Sequence, residues 1–357
     1  MARRQTRTVT VGDVKIGSQH PIVVQSMTCT DTDDAAATIA QINELVEAGC
    51  EMVRVTVDTD KAADALPEIV AACSVPIIAD IHFTHRLALR AIEAGVHKVR
   101  INPGNIGSDE RVREVVEAAK KANIAMRIGV NSGSVEKDLL EKYGYPSPQA
   151  LVDSAVRHCE NITALGFTNF VVSLKSTDTK TVVEANRLFA AQNDIPLHLG
   201  VTEAGRPGYG TIKSAVGLGP LLLEGIGDTI RVSLTGGPVP EIAVAFDILK
   251  SSGARVMGPE LISCPTCGRI DIDLEALMSE LEERLEGVTV PVKIAVLGCV
   301  VNGPGEAQEA DIGIAGGGGK GILYRDGKQK RVVPESEMVD ALLEEIADFQ
   351  QSQRSSY

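Results

Sequence analysis

Between residue 20 and about residue 252 the chain deals out eight short β-branched runs, each followed by an amphipathic helical stretch. The runs are "PIVVQSMT" (21–28), "MVRVTV" (52–57), "VPIIADIH" (75–82), "KVRIN" (98–102), "IAMRIGV" (124–130), "NFVVSLK" (169–175), "PLHLGVT" (196–202) and "TIRVSL" (229–234). Eight such units over about 230 residues predict a (β/α)8 TIM barrel. A doubly wound open sheet is the other α/β arrangement, but it rarely runs to eight evenly dealt units. An internal echo agrees with the barrel. "EAGCEMVRV" (47–55) and "EAGVHKVRI" (93–101) each end a helix on a glycine and open a strand in the same apolar frame. Gly49 and Gly95 suit the left-handed position that stops a helix.

A barrel builds its site at the C-terminal ends of its strands. Those ends carry Arg54 and Thr56, Asp80 and His82, Arg100 and Asn102, Arg127 and Asn131, Ser173 and Lys175, Thr202 and Glu203, and Arg231 and Ser233. Four arginines and a lysine therefore point into one mouth from five strands. A single buried arginine is usually half of a structural ion pair. Five of them need an anion each, and the mouth offers mainly Asp80 and Glu203. Guanidinium forks match phosphate oxygens in geometry, so the pattern predicts a diphosphate pocket.

After "EIAVAFDILKSSG" (241–253) the rhythm changes. From about 257 the chain reads as a strand, "CPTCGR" (264–269), a helix, the strand "VKIAVLG", a loop "CVVNGPGEAQEA", the strand "DIGIAG", a hairpin through "RDGK" and a last helix. The expected division is a barrel domain over 1–253, a small α+β domain over 257–347 and a flexible tail over 348–357. Cys264, Cys267 and Cys299 lie at the ends of two strands that can be neighbours. A closed zinc site needs a fourth nitrogen or sulfur ligand, and this domain has no histidine and no fourth cysteine. Three thiolates with an open corner fit a [4Fe–4S] cluster, and Glu306 supplies an exchangeable oxygen ligand. A thioredoxin-type dithiol belongs to a different context. "GGGGKG" (316–321) imitates a phosphate loop but has Gly321 where Ser or Thr should follow the lysine; it is expected to be a turn. Cys50, Cys73 and Cys159 are expected to pack as small apolar groups.

Composition removes several function classes. The formal net charge is −13, aromatics are 3% and Trp is absent, which argues against nucleic-acid binding. "MARRQTRTVTVG" has no apolar run behind it, and no stretch is long enough to span a membrane. The expected location is cytoplasmic, where the seven cysteines stay reduced and read as metal or catalytic ligands before disulfides.

"CPTCGR", "GCVVNGPGEA" and the barrel strings "VRVTV", "ADIHF", "VRINPGN", "RIGVNSGS", "SLKSTD", "GVTEAG" and "RVSLTG" resemble the 4-hydroxy-3-methylbut-2-enyl diphosphate synthase family in its compact bacterial form. The resemblance runs from about residue 5 to 347. It implies a TIM barrel followed by a small domain like the cluster domain of nitrite and sulfite reductases. It also implies reductive ring opening and dehydration of 2-C-methyl-D-erythritol 2,4-cyclodiphosphate. The cluster would be held by Cys264, Cys267, Cys299 and Glu306, with the odd iron taking the substrate's C3 oxygen. The diphosphate would be gripped by Arg54, Arg100, Arg127, Lys175 and Arg231, with Asn131 and Ser233 assisting; Asp80 and His82 are expected to order the site, and Asn102 to bind the substrate with them. Glu203 is the candidate proton donor. Flavodoxin or ferredoxin would deliver electrons, and a head-to-tail homodimer would share each site between chains. Two rival readings predict different behaviour: a zinc-stabilised barrel enzyme, or an anion-binding protein with the cluster as a redox sensor.

Overall fold

The alternation in "TVTVGDVKIG" folds into a hairpin ahead of the barrel, a feature not anticipated from the sequence. Strands β1 (Val9–Val11) and β2 (Val14–Ile16) pair antiparallel across a turn in which Gly12 has φ +60°. The eight expected strands follow in a computed structural model that describes residues 2–354. They are β3 (Val23–Met27), β4 (Met52–Thr56), β5 (Ile77–Asp80), β6 (Lys98–Ile101), β7 (Ala125–Asn131), β8 (Phe170–Lys175), β9 (His198–Leu199) and β10 (Thr229–Ile230). All pair in parallel, in the order β8-β7-β6-β5-β4-β3-β10-β9, and a parallel bridge between Val172 and Leu197 joins the two ends.

The intervening helices start and stop where their side chains dictate. Asp34, Thr59, Ser147 and Asp178 each accept a backbone N–H from the first turn that follows, satisfying a donor that the helix itself leaves orphaned. Gly49 and Gly95 take φ +97° and +89° after their helices, the left-handed role expected of them. Outward strand residues such as Val53, Val55, Val99, Ile101 and Leu174 meet the helices in one large apolar core.

The interior is built differently. At its lower end Val23, Met52, Ile78, Ala125 and Val171 join Val9, Val11 and Ile16 of the hairpin in a separate apolar cluster. The hairpin is therefore a plug at the N-terminal face of the barrel, away from the face where the site is expected.

The chain divides into two units, Met1–Arg255 and Val256–Tyr357. The second is a five-stranded sheet of β11 (Glu260–Ser263), β12 (Lys293–Leu297), β13 (Ile312–Gly317), β14 (Lys320–Arg325) and β15 (Lys328–Pro334), in that order. The first three strands run parallel, and the last two are added by tight hairpins. Gly318 and Gly319 turn one hairpin at φ +61° and +69°, so "GGGGKG" is a turn; Asp326 and Gly327 turn the other at +48° and +74°. Two expectations need correction. The "CVVNGPGEAQEA" loop contains a short helix, Gly303–Gln308, with Glu306 in its first turn. The last helix runs Met338–Arg354, so 348–354 is helix rather than flexible tail, while 355–357 lies outside the described residues. Phe349 carries the helix past 347 by packing on the unit's core and beneath the Arg325 guanidinium, 4.9 Å from its ring centroid. No described helix is long and apolar enough to cross a membrane.

If the hairpin plugs the barrel, Ile16→Ala, which truncates a fully buried side chain, should lower unfolding stability by about 3 kcal/mol in a denaturant titration. A loss below about 1 kcal/mol would show that the plug is dispensable.

Candidate functional site

Strand register brings the expected cations to one level. Asp80 of β5 pairs with Arg100 of β6, and Arg100 with Arg127 of β7; Asn131 at the end of β7 pairs with Lys175 of β8. Arg54, Arg100, Arg127 and Lys175 are all buried, and Arg127 is only 2% exposed. Burial drives the pKa values of Arg54, Arg127 and Lys175 down. Arg54 is pushed down to about 9 by burial, against the pull of Asp80 and with the repulsion of Arg231 and Arg100. Burial, then the neighbouring guanidiniums, hold Lys175 and Arg127 well below their usual ranges.

Asp80 is the hub that offsets this charge. It accepts a hydrogen bond from Arg100 Nη1 at 3.0 Å, contacts His82 Nε2 at 3.1 Å and lies 3.8 Å from Arg54 Nε. Burial alone would raise the Asp80 carboxyl, but Arg54, the His82 hydrogen bond, Arg100 and Arg127 hold it well below the carboxylate range.

The second counterion is not the one the sequence suggested. Glu203 is exposed, sits at φ +48° and makes no ion pair among the described residues. Glu241, from helix Val239–Ser251, fills the role instead. Its Oε2 lies 3.8 Å from Arg231 Nε and accepts from Ser26 Oγ at 3.1 Å, while Oε1 accepts the Leu234 N–H at 2.9 Å. Met27 also went unread. Its sulfur accepts from Arg54 Nη2 at 2.8 Å and from Arg231 Nη1 at 3.5 Å, joining two guanidiniums through a soft, uncharged acceptor.

Two strand glycines make room for the cations. A Cβ on Gly129 would stand 2.8 Å from Arg100 Nε, and one on Gly200 would stand 2.5 Å from Lys175 Nζ. Several donors remain unspent: among the described residues, Nε of Arg100, and Nε and Nη1 of Arg127, are buried without a hydrogen-bond partner. Because an unpaired buried polar group is costly, the layer is built to receive acceptors from elsewhere.

Above this layer a cleft of about 350 Å³ is walled by His82, Arg100, Asn102, Asn131, Ser134, Thr202 and Glu203, among others. Asn102 ties two of its loops together. Its Oδ1 accepts the Gly104 N–H at 3.1 Å and its Nδ2 donates to Ser134 Oγ at 2.8 Å. The sequence expectations thus meet around one opening, with Arg54, Arg127, Lys175 and Arg231 in the buried layer and not in the cleft wall. Ser233 follows Arg231 by two residues and is partly buried. Cys50 and Cys159 are buried in the apolar core, and burial pushes their thiols up to about 11 and about 12, as fits inert packing groups. A second cleft of about 330 Å³, lined by Arg113, Arg157 and His158, opens on the outer helices and holds none of the cationic layer.

In the second unit, β11 and β12 pair with Ser263 opposite Val296, so Cys264 and Cys299 leave adjacent strand ends. The Gly298 N–H donates to Cys264 Sγ at 3.2 Å. Backbone N–H groups of Val301, Asn302 and Gly303 lower the Cys299 thiol, and Arg269 lowers Cys267 through its N–H and its guanidinium. Arg269 in turn feels both thiols. Cys267 stands exposed on the loop, and among the described residues no three His, Cys, Asp or Glu side chains gather closely enough to hold a metal ion. The donor chemistry nonetheless fits an iron–sulfur group: thiols eased toward thiolate, with N–H groups aimed at sulfur.

Residues 6–246 match the family described as "GcpE TIM-barrel domain", and residues 260–348 match "GcpE protein C-terminal domain". The chain is 56% identical over 348 residues to the 4-hydroxy-3-methylbut-2-en-1-yl diphosphate synthase (flavodoxin) of Aquifex aeolicus (strain VF5), covering 98% of each chain. It is 55% identical over 346 residues to the protein of the same description from Clostridium perfringens (strain 13 / Type A), covering 97% of this chain and 99% of that one. Among solved structures, a dihydropteroate synthase from Stenotrophomonas maltophilia superposes with a TM-score of 0.51 at 14% identity, over 70% of this chain and 98% of that one. That likeness is one of fold alone.

Gly129→Ala should displace the Arg100 guanidinium and weaken binding of inorganic diphosphate at least about tenfold, measured by calorimetry on a protein whose circular dichroism is unchanged. Unaltered affinity would mean that Arg100 does not bind the anion from its present position.

Proposed function

The chain belongs to the GcpE family, the family of 4-hydroxy-3-methylbut-2-en-1-yl diphosphate synthases, and from that premise we propose that its cationic barrel layer holds 2-C-methyl-D-erythritol 2,4-cyclodiphosphate for reductive conversion to (E)-4-hydroxy-3-methylbut-2-enyl diphosphate. The protein is an oxidoreductase of isoprenoid biosynthesis. The observation that carries the substrate reading is five inward cations facing two buried carboxylates, Asp80 and Glu241, with guanidinium donors left over.

The reaction explains the excess of positive charge. The cyclic substrate is a dianion. It takes two electrons and one proton, and yields the linear diphosphate trianion and one water. Breaking the ring C–O bond leaves the extra negative charge on a phosphate oxygen. Arg54, Arg100, Arg127, Lys175 and Arg231 stand where that charge develops, in a buried layer where preorganised cations act most strongly. Asp80 and Glu241 fix the guanidiniums without neutralising them all. Asn131 and Ser233 add neutral hydrogen bonds, and Asn102 holds the loops around the ligand. The departing oxygen must gain a proton to leave as water, and Glu203 on the cleft wall is its donor.

Cys264, Cys267, Cys299 and Glu306 would hold a [4Fe–4S] cluster. When bound, that cluster supplies the two electrons one at a time and Lewis acidity toward the substrate oxygen. Flavodoxin is the electron donor, as the relatives' descriptions suggest, with ferredoxin the alternative. The location is cytoplasmic. The working form is a homodimer in which the cluster domain of one chain serves the barrel of the other. Support comes from the barrel's last residue. Arg255 donates to the Ile22 carbonyl at 2.9 Å and pairs with Glu51 at 2.7 Å, just before β3 and β4 begin. The chain therefore leaves the barrel at its N-terminal face, opposite the cleft.

Anaerobic purification should give a brown protein that forms the linear diphosphate from the cyclic one with reduced flavodoxin; a colourless, zinc-containing protein without turnover would remove the reading. Glu203→Gln should keep the cluster spectrum and lower kcat by about a hundredfold or more, and near-normal turnover would remove Glu203 as the acid. Mixing Arg100→Ala with Cys264→Ser chains, each nearly inactive, should restore activity in the mixed dimer. Purified mixed dimers that stay inactive would place barrel and cluster of each site in one chain.

A further inference from the structure

Beneath the five cations lies one more basic side chain, which no step above uses. Lys98 precedes Arg100 by two residues on β6, so both side chains point into the barrel. Lys98 is 1% exposed, and among the described residues its one hydrogen-bond partner is the Met52 sulfur, 3.9 Å away. Its lateral neighbours on β5 and β7 are Ile78 and Ala125, both members of the apolar cluster over the plug. The hairpin contributes only Val9, Val11 and Ile16 to that cluster.

The charged and titratable groups around Lys98 come from the other strands. Arg54 of β4 and Arg127 of β7 repel it, and β8 adds Lys175 to the same cluster. His198 of β9 also feels Lys98; its Nδ1 lies 2.6 Å from Thr229 Oγ1, while its Nε2 is buried without a partner. Gln25 of β3 is neutral, and both its amide atoms are likewise unpartnered. Asp80 of β5 sits one pleat higher and is engaged by Arg54, Arg100 and His82. Glu241 is engaged by Arg231 and Ser26. Among the described residues no carboxylate is left for Lys98. An ammonium here would rest on apolar side chains below and face guanidiniums above, and burial followed by repulsion from Arg127 and Arg54 holds the group well below the usual lysine range.

We propose that Lys98 is a neutral amine in the empty barrel and takes up one proton from solvent when a diphosphate seats on the cationic layer, so that substrate binding is coupled to proton uptake. The bound dianion supplies the counter-charge that the protein withholds, and the amine becomes an ammonium beneath it. The proposal rests on the diphosphate reading of the site. Its sign follows from linkage: a group whose pKa rises on binding strengthens affinity fully below its free-state pKa, and that gain is lost as pH rises through its bound-state pKa.

The cyclic substrate suits the test, because each of its phosphoryl groups has already lost its single acidic proton at neutral pH and contributes none of its own. The holoenzyme, without reductant and therefore without turnover, is titrated with cyclodiphosphate by calorimetry in buffers of different ionisation enthalpy, from about pH 6 to about pH 9. Wild type should take up protons on binding, with Kd rising up to about tenfold per pH unit across the window. Lys98→Met, matched in shape to its surroundings, should lose about one of those protons and flatten the pH dependence. A folded Lys98→Met protein that binds and takes up as many protons as wild type overturns the proposal. Lys98→Gln repeats the comparison should the Met variant not fold. Wild type that binds with no proton uptake overturns it without any variant. Absence of binding at every pH would instead overturn the diphosphate reading, and this proposal with it.

Discussion

The structure is organised around positive charge buried in excess of its counterions. Burying an ion without a partner costs several kcal/mol even after relaxation, and this barrel buries a row of them over two carboxylates. The rest of the interior serves that arrangement. Asp80 and Glu241 anchor the ends, Met27 bridges two guanidiniums with a sulfur, and Gly129 and Gly200 clear the space that Arg100 and Lys175 occupy. The hairpin seals the floor with apolar side chains, leaving the opening above as the approach for solvent or ligand. Stability and binding are consequently linked, since an anion that occupies the layer relieves its repulsion and favours the folded state.

The two units divide the chemistry. In the proposed function the barrel holds and orients an anion, and its acidic candidate Glu203 stands exposed at the rim in a left-handed backbone conformation, a cost usually met at functional positions. The small unit places cysteines at the ends of parallel strands, where backbone N–H groups and Arg269 favour thiolate. A buried apolar setting does the opposite to Cys50 and Cys159. The same residue type is thus made inert or available by its surroundings, in a chain whose overall charge is negative.

Much of this was legible in the chain. Inward arginines, helix-stopping glycines and the Cys-x-x-Cys loop are local signals; the glycines and the loop lie at the helix and strand ends where their pattern put them, while Arg54, Arg100 and Arg127 lie inside β4, β6 and β7 rather than at their ends. What escaped was mostly non-local. Glu241 serves the mouth from a helix, and no strand pattern points to it. Met27 looks like an ordinary apolar residue until two guanidiniums surround it. Lys98 shares its inward face with Arg100, so alternation in "KVRI" places both side chains inside the barrel. The β1–β2 hairpin carries a plain alternating signal that the stronger rhythm of the barrel obscured. The extension of the last helix past 347 depends on Phe349 meeting Arg325 from β14, a contact between distant segments. "NGPGE" has turn composition and predicts a loop at Glu306, yet Pro304 suits the first turn of a helix.

If the buried cationic layer is a diphosphate site, a crystal structure of the protein with bound cyclic substrate will place phosphate oxygens within hydrogen-bond reach of Arg127 Nη1 and Lys175 Nζ. A ligand held only by the cleft walls or by the outer helices, with Arg127 and Lys175 unengaged, would contradict it.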